Sequence, residues 1–83
     1  MNNTYTLQVR TACPVNDDEI DLYDVTVESP WIIEVETILA FFRRYAGQKI
    51  FQEALTQSAA TALGARVTTV GVHSGVTVRS VAP

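Results

Sequence analysis

Four places in this sequence carry side chains able to do chemistry. Cys13, followed directly by Pro14, is the single thiol of the chain. As a thiolate it would be a polarisable nucleophile for an electrophilic carbon, and its plainer role is that of a small buried residue at a strand end. Glu53 falls where a helix should begin. A carboxylate there gains from the helix dipole, and its two oxygens can also accept a pair of adjacent N–H donors. His73 is the only histidine, the side-chain type that ordinarily changes charge near neutral pH, which makes it a candidate general acid or ligand contact. A lone histidine at a hairpin end is more commonly solvated. Asn16-Asp17-Asp18-Glu19-Ile20-Asp21 is a short acidic cluster, which a solvated turn explains most simply.

The elements that must position these groups can be read from periodicity. Thr4 to Arg10 alternates, with Tyr5, Leu7 and Val9 on one face, and predicts a half-buried strand. Leu22 to Glu28 alternates again, with Tyr23, Val25 and Val27 together, so the acidic segment between them closes a hairpin with a long loop. Ser29-Pro30 breaks the second strand, because proline has no ladder donor and restricts the residue before it. A helix is predicted from near Glu34, with Val35, Ile38, Leu39, Phe42 and Tyr45 at helical spacing and Gly47 as its stop. A second helix is predicted from about Ile50 to Leu63, with Phe51, Leu55, Ala59, Ala62 and Leu63 inward and Gly64 ending it. Val67, Val70 and Val72, then Ser74-Gly75, then Val76, Val78 and Val81 read as a second hairpin with a tight turn. The expected fold is therefore a single α+β domain over residues 1–83. Its order is ββααββ, a four-stranded antiparallel sheet with two helices packed on one face. The outer strands of such a sheet stay unpaired unless copies assemble, so a homo-oligomer is expected.

Composition narrows the function. Nine acidic against six basic residues give a net charge of −3, which offers no footprint for a phosphate backbone and disfavours nucleic-acid binding. One cysteine excludes an intramolecular disulfide, and the N-terminus has neither a basic nor an apolar leader region. A cytoplasmic protein is expected. Apolar runs such as Ile38-Leu39-Ala40-Phe41-Phe42 fall far short of the roughly 20 residues that span a bilayer, so no membrane partner is expected.

Local sequence resembles proteins of the tunnelling-fold superfamily, which stack sheets from several subunits and bind purine- or pterin-like rings between them. Thr11-Ala12-Cys13-Pro14-Val15, followed by a polar turn and Asp24-Val25-Thr26-Val27, resembles the Cys-Pro segment of the 7-cyano-7-deazaguanine nitrile reductases of queuosine biosynthesis and their amidinotransferase relatives. Ile50-Phe51-Gln52-Glu53-Ala54-Leu55-Thr56 looks like that family's Phe-His-Glu stretch, with Gln52 in place of the histidine. The last third also resembles GTP cyclohydrolase I, in Gln52-Glu53-Ala54-Leu55-Thr56 and in His73-Ser74-Gly75-Val76-Thr77-Val78-Arg79-Ser80-Val81.

These resemblances imply a purine-like ligand held by Glu53 through ring N–H and exocyclic amine groups. Cys13 would attack a nitrile to give a covalent thioimide, and a proton would come from an aspartate, with Asp21 nearest the family's spacing, or from His73. Asp17 and Asp18 fit better as loop solvators. The cofactor stays open. The family's lysine-containing nicotinamide motif is replaced by Trp31-Ile32-Ile33-Glu34-Val35-Glu36-Thr37-Ile38. Gly75 stands where the cyclohydrolase has a zinc-binding cysteine, so no metal ligand set is complete. Two other classes of function remain open: a non-catalytic interaction module serving as subunit, scaffold or inhibitor of another protein, and an acidic DNA mimic built on Asp17, Asp18, Glu19 and Asp21.

Overall fold

The two alternating segments of the N-terminal half become β1 (Asn3–Ala12) and β2 (Ile20–Ser29), and the chain continues through α1 (Val35–Arg43), α2 (Gln52–Leu63), β3 (Arg66–His73) and β4 (Val76–Ala82). This computed structural model describes residues 2–16 and 18–83. Asp17, one of the acidic residues considered above, lies outside the described residues. The strands form one antiparallel sheet in the order β1-β2-β3-β4. An α+β fold of ββααββ order is the result.

Register puts the apolar members of each alternation on one face. Tyr5, Leu7 and Val9 pair with Val27, Val25 and Tyr23, and Tyr23, Val25 and Val27 pair in turn with Gly71, Thr69 and Val67. Tyr23, Val25, Val27, Leu55, Ala59 and Val67 are essentially sealed from solvent, and Ile38, Phe41 and Phe42 of α1 close over them. Burying side chains of this size contributes about 1.5–3 kcal/mol each before chain entropy is counted.

Both helices are shorter than the sequence predicts, α1 ending at Arg43 before the expected stop at Gly47 and α2 starting at Gln52, and their buried faces differ too. In α1, Phe41 joins Ile38 and Phe42 in the core while Val35 is exposed. In α2 the inward stripe is Gln52, Leu55, Thr56, Ala59 and Ala60, and Phe51 is 58% exposed. Phe51 is the extended residue that caps α2, so it stands outside the helical wheel on which its burial was reckoned. Gly64 ends α2 in the left-handed conformation, which costs glycine nothing.

The tight turn Ser74-Gly75 joins His73 to Val76, with φ of 50° and 82° at its two central residues. Two positive φ values give the turn twist that a two-residue hairpin needs. The outer edge of β1 is partly covered. Gly47 N–H donates to Arg10 O (3.3 Å), Ala12 N–H donates to Gln48 O (2.9 Å), and Lys49 makes a parallel bridge with Ala12. Among the described residues no helix is long and apolar enough to cross a membrane.

Candidate functional site

A polar row interrupts the apolar face at one end of the sheet. Thr11 pairs with Asp21, and both are buried, on the face that carries Val9 and Tyr23. On β3, His73 lies two residues beyond Gly71, the partner of Tyr23, so period two places it on this same face beside Asp21. The β1–β2 loop, the first turn of α2 and the β3–β4 turn meet here around a cavity of about 330 Å³. Cys13, Asp21, Glu53 and His73, the four residues singled out in the sequence, all line it. Asp18 does not. It is an exposed loop residue whose N–H is held by Asn16 Oδ1 at 3.1 Å.

The loop carrying the thiol is tied down locally. Cys13 N–H donates to Glu19 O (3.0 Å), which extends the hairpin by one pair, and Glu19 N–H donates to Asn16 O (3.2 Å). Cys13 is a free, half-buried thiol at the pocket's edge. Glu53 is exposed in the first turn of α2, and Phe51 and Val15 add an apolar rim, 58% and 82% exposed. The thiol and the candidate anchor therefore sit at the mouth.

The inner wall is a hydrogen-bonded network. Gln52, 3% exposed, donates from Nε2 to Val78 O (2.9 Å), Thr69 O (3.1 Å) and Thr69 Oγ1 (3.1 Å). Its Oε1 lies 2.8 Å from His73 Nε2. Thr56 Oγ1 donates to Gln52 O at 2.7 Å and lies 2.7 Å from Thr69 Oγ1. On the other side of the imidazole, Nδ1 is 3.5 Å from Asp21 Oδ1. Tyr23 O–H donates to Asp21 Oδ2 at 3.3 Å, the kind of partner a buried carboxylate oxygen requires. Burial, with the adjacent Asp21 carboxylate as second cause, pushes the Tyr23 phenol well above its ordinary 10.0. It stays a hydrogen-bond donor throughout the physiological range.

Tyr23 lies flat across a strand residue with no side chain. A Cβ added at Gly71 would stand 2.5 Å from Tyr23 Cδ1 and Cε1. The glycine thus lets the ring cross β3 and bring its hydroxyl to Asp21.

Sequence reasoning missed two site residues, Tyr23 and Gln52. Tyr23 was read only as a strand residue, although its two-residue spacing from Asp21 puts both on one face. Gln52 enters the sequence reading only through the family stretches it belongs to. Its spacing of three and four from Leu55 and Thr56 marks it as inward-facing. Asp21 is buried and bonded inward, so it cannot present charge to a partner, and the surface acidity available to a DNA mimic shrinks accordingly.

A metal fits poorly here. Among the described residues no group of three or more His, Cys, Asp and Glu side chains is arranged to hold one. Gly75, at the cyclohydrolase cysteine position, occupies the turn tip at φ 82°.

The overall fold is shared with a solved structure at low sequence identity. A crystal structure described as the archaeosine synthase QueF-Like, in the apo form, superposes with a TM-score of 0.84 at 22% sequence identity, over 98% of this chain and 90% of that one. No protein-family model matches the chain, and no curated protein matches it.

Proposed function

We propose that the protein binds a guanine- or 7-deazaguanine-like ring in the pocket between the β1–β2 loop, α2 and the β3–β4 turn, and that Cys13 forms a covalent thioimide with a nitrile on that ring. The observation that carries this reading is the meeting of one thiol, three carboxylates (Glu19, Asp21 and Glu53) and the only histidine around a single pocket, on a fold shared with a protein described as an archaeosine synthase. Glu53 is the anchor. Its carboxylate at the mouth of the pocket can take the ring N–H and the exocyclic amine of a guanine edge together, and Phe51 offers an aromatic surface beside it.

In the covalent step the Cys13 Sγ–H bond is broken and an Sγ–C bond forms at the nitrile carbon. One of the two C–N π bonds is replaced by an N–H bond, so the thiol plus nitrile become a thioimide with no change in oxidation state. Asp21 or His73 passes the proton to the nitrogen, and the thiol proton replaces it. What happens to the thioimide afterwards is not assigned to any residue. Trp31 and Ile32, exposed at the position of the family's nicotinamide motif, supply no cation for a dinucleotide phosphate. Self-association is part of the reading, because β4 and the first half of β1 are edge strands and the mouth of the pocket is lined by exposed apolar groups.

Native mass spectrometry of the purified protein, alone and with 7-cyano-7-deazaguanine, tests the proposal. An oligomer gaining one ligand mass per subunit, with the covalent part lost in Cys13→Ala, is the expected outcome. A monomer with no added mass sinks it. One observation favours the interaction-module reading instead: Trp31, Ile32 and Val35, large apolar residues close together in the chain, are 71%, 86% and 57% accessible. A mixed complex with a larger partner, formed equally well by Cys13→Ala, would decide for that reading.

A further inference from the structure

His73 has two ring nitrogens with different neighbours, and which of them carries the proton is set by Gln52. The Gln52 amide can point only one way. Val78 O and Thr69 O are backbone carbonyls, which accept and never donate, so the group 2.9 Å and 3.1 Å from them is the NH₂. Threonine geometry agrees. Thr56 Oγ1 spends its hydrogen on Gln52 O, so Thr69 must donate in the Thr56–Thr69 pair, and Thr69 Oγ1 is left to accept from Gln52 Nε2. Gln52 Oε1 is then an acceptor facing His73 Nε2 at 2.8 Å, and a ring nitrogen that meets a pure acceptor at that distance must bear hydrogen.

We propose that Gln52 is a positioning residue that holds His73 in the Nε2–H tautomer, so that Nδ1 is the nitrogen that gains and loses a proton, and does so against the Asp21 carboxylate. The Nδ1–Oδ1 separation is 3.5 Å. With Nδ1 bare, its lone pair faces a carboxylate oxygen and the two repel. With a single proton between them, the contact is favourable whichever atom holds it. Tyr23, donating to Asp21 Oδ2, keeps that carboxylate turned toward the ring. Without Gln52, the opposite tautomer would prevail. An Nδ1–H could then be donated to the carboxylate, and no acceptor would claim Nε2. His73 contacts Asp21 and Tyr23 from β2 and Gln52 from α2, and it shares the pocket lining with Glu53 of α2 and with Cys13 and Glu19 of the β1–β2 loop. Only the use of this proton at a nitrile nitrogen rests on the function proposed above; the tautomer follows from the protein's own bonds.

Because the chain has a single histidine, long-range ¹H–¹⁵N correlation spectra of uniformly labelled protein report this ring without assignment ambiguity. Across a pH titration, Nδ1 is expected to move from the protonated to the bare-nitrogen shift while Nε2 keeps the shift of a protonated nitrogen. In Gln52→Met, which retains length and removes the acceptor, the neutral ring is expected to shift toward Nδ1–H. A wild-type neutral ring already in the Nδ1–H form overturns the proposal, and so does a folded Gln52→Met with the wild-type tautomer. The wild-type spectrum decides alone should the variant not fold. Failure of the nitrile to form an adduct would leave the tautomer result standing, and an adduct formed with the wrong tautomer would refute only the role of Gln52.

Discussion

Replacing Gly71 by alanine adds one methyl group, and its consequence depends on a single neighbour. The backbone at Gly71 is ordinary strand, with no positive φ, so alanine fits its conformation. In an unobstructed strand position the change would stabilise by roughly 0.5–1 kcal/mol through the entropy of the unfolded chain. Here the new Cβ would stand 2.5 Å from two ring carbons of Tyr23, about 1 Å inside ordinary contact. Tyr23 is 0% exposed and cannot swing into solvent. Overpacking of this kind costs about 1–3 kcal/mol, and subtracting the entropic gain leaves a net loss of up to about 2.5 kcal/mol. In a domain of this length that lowers Tm by up to roughly 20 °C. The assay is urea and thermal unfolding followed by far-ultraviolet circular dichroism, on wild type, Gly71→Ala, Tyr23→Ala and the double variant. Gly71→Ala should be neutral or stabilising once the ring is gone, with a coupling of about 1–3 kcal/mol in the cycle. A Gly71→Ala protein as stable as wild type, with coupling near zero, would refute the close approach of ring and strand.

Three further outcomes are expected. Gly64→Ala should also destabilise, by about 1–2 kcal/mol, but through its left-handed φ of 59° with open space around the new methyl, so no neighbouring substitution should rescue it in the same unfolding assay. Leu55→Ala, at a fully buried position, should cost about 2–5 kcal/mol by denaturant titration. Tyr23 keeps its proton in the folded state above the pH at which an unfolded tyrosine, at 10.0, releases it. Its contribution is therefore complete below that pH and is lost as pH rises further, by up to about 1.4 kcal/mol per pH unit. Urea midpoints from about pH 9 to 11 should fall more steeply for wild type than for Tyr23→Phe, and parallel curves would exclude the perturbation.

The strands were legible because period two does not depend on what the strand packs against: Tyr5, Leu7 and Val9, and Tyr23, Val25 and Val27, share faces as their alternation requires. The Ser74-Gly75 turn was legible for a similar local reason. The inward face of α2 was not. Reading it by hydrophobicity gave weight to Phe51 and Ala62 and passed over Gln52 and Thr56, yet the helix packs over β3, whose facing residue is Thr69, and reaches the β4 carbonyl of Val78. Polar side chains belong on a helix face when the opposing surface is itself polar, and that is a property of the tertiary contact. The cover over the β1 edge by Gly47, Gln48 and Lys49 left no sequence trace, since a few loop residues pairing once have no period to detect. Of the candidate site, what residue type marks is membership of one pocket lining: Cys13, Asp21, Glu53 and His73, candidates for their chemistry, all line it. Gln52 and Tyr23 are bonded to two of them, His73 and Asp21, and type alone does not mark such contacts.

The division between mouth and wall determines which variants can speak about chemistry. Asp21, Gln52, Thr56, Thr69 and Tyr23 are buried and bonded to one another or to backbone, so removing any one strands a desolvated partner at about 1–3 kcal/mol. A loss of activity in those variants would mix a weakened fold with a missing function. Glu53 is exposed and Cys13 is half-buried at the edge of the same pocket. Glu53→Gln should leave Tm within about 2–4 °C of wild type, as surface changes of about 0.5 kcal/mol do. It should nonetheless weaken binding of a guanine-like ring by about 10–100-fold, the worth of a charge-assisted hydrogen bond of about 1.5–3 kcal/mol. Isothermal titration with 7-cyano-7-deazaguanine in a Cys13→Ala background reads that affinity without interference from the covalent step. An unchanged affinity in Glu53→Gln would remove the carboxylate from ligand recognition and return it to its simpler role at the N-terminus of α2.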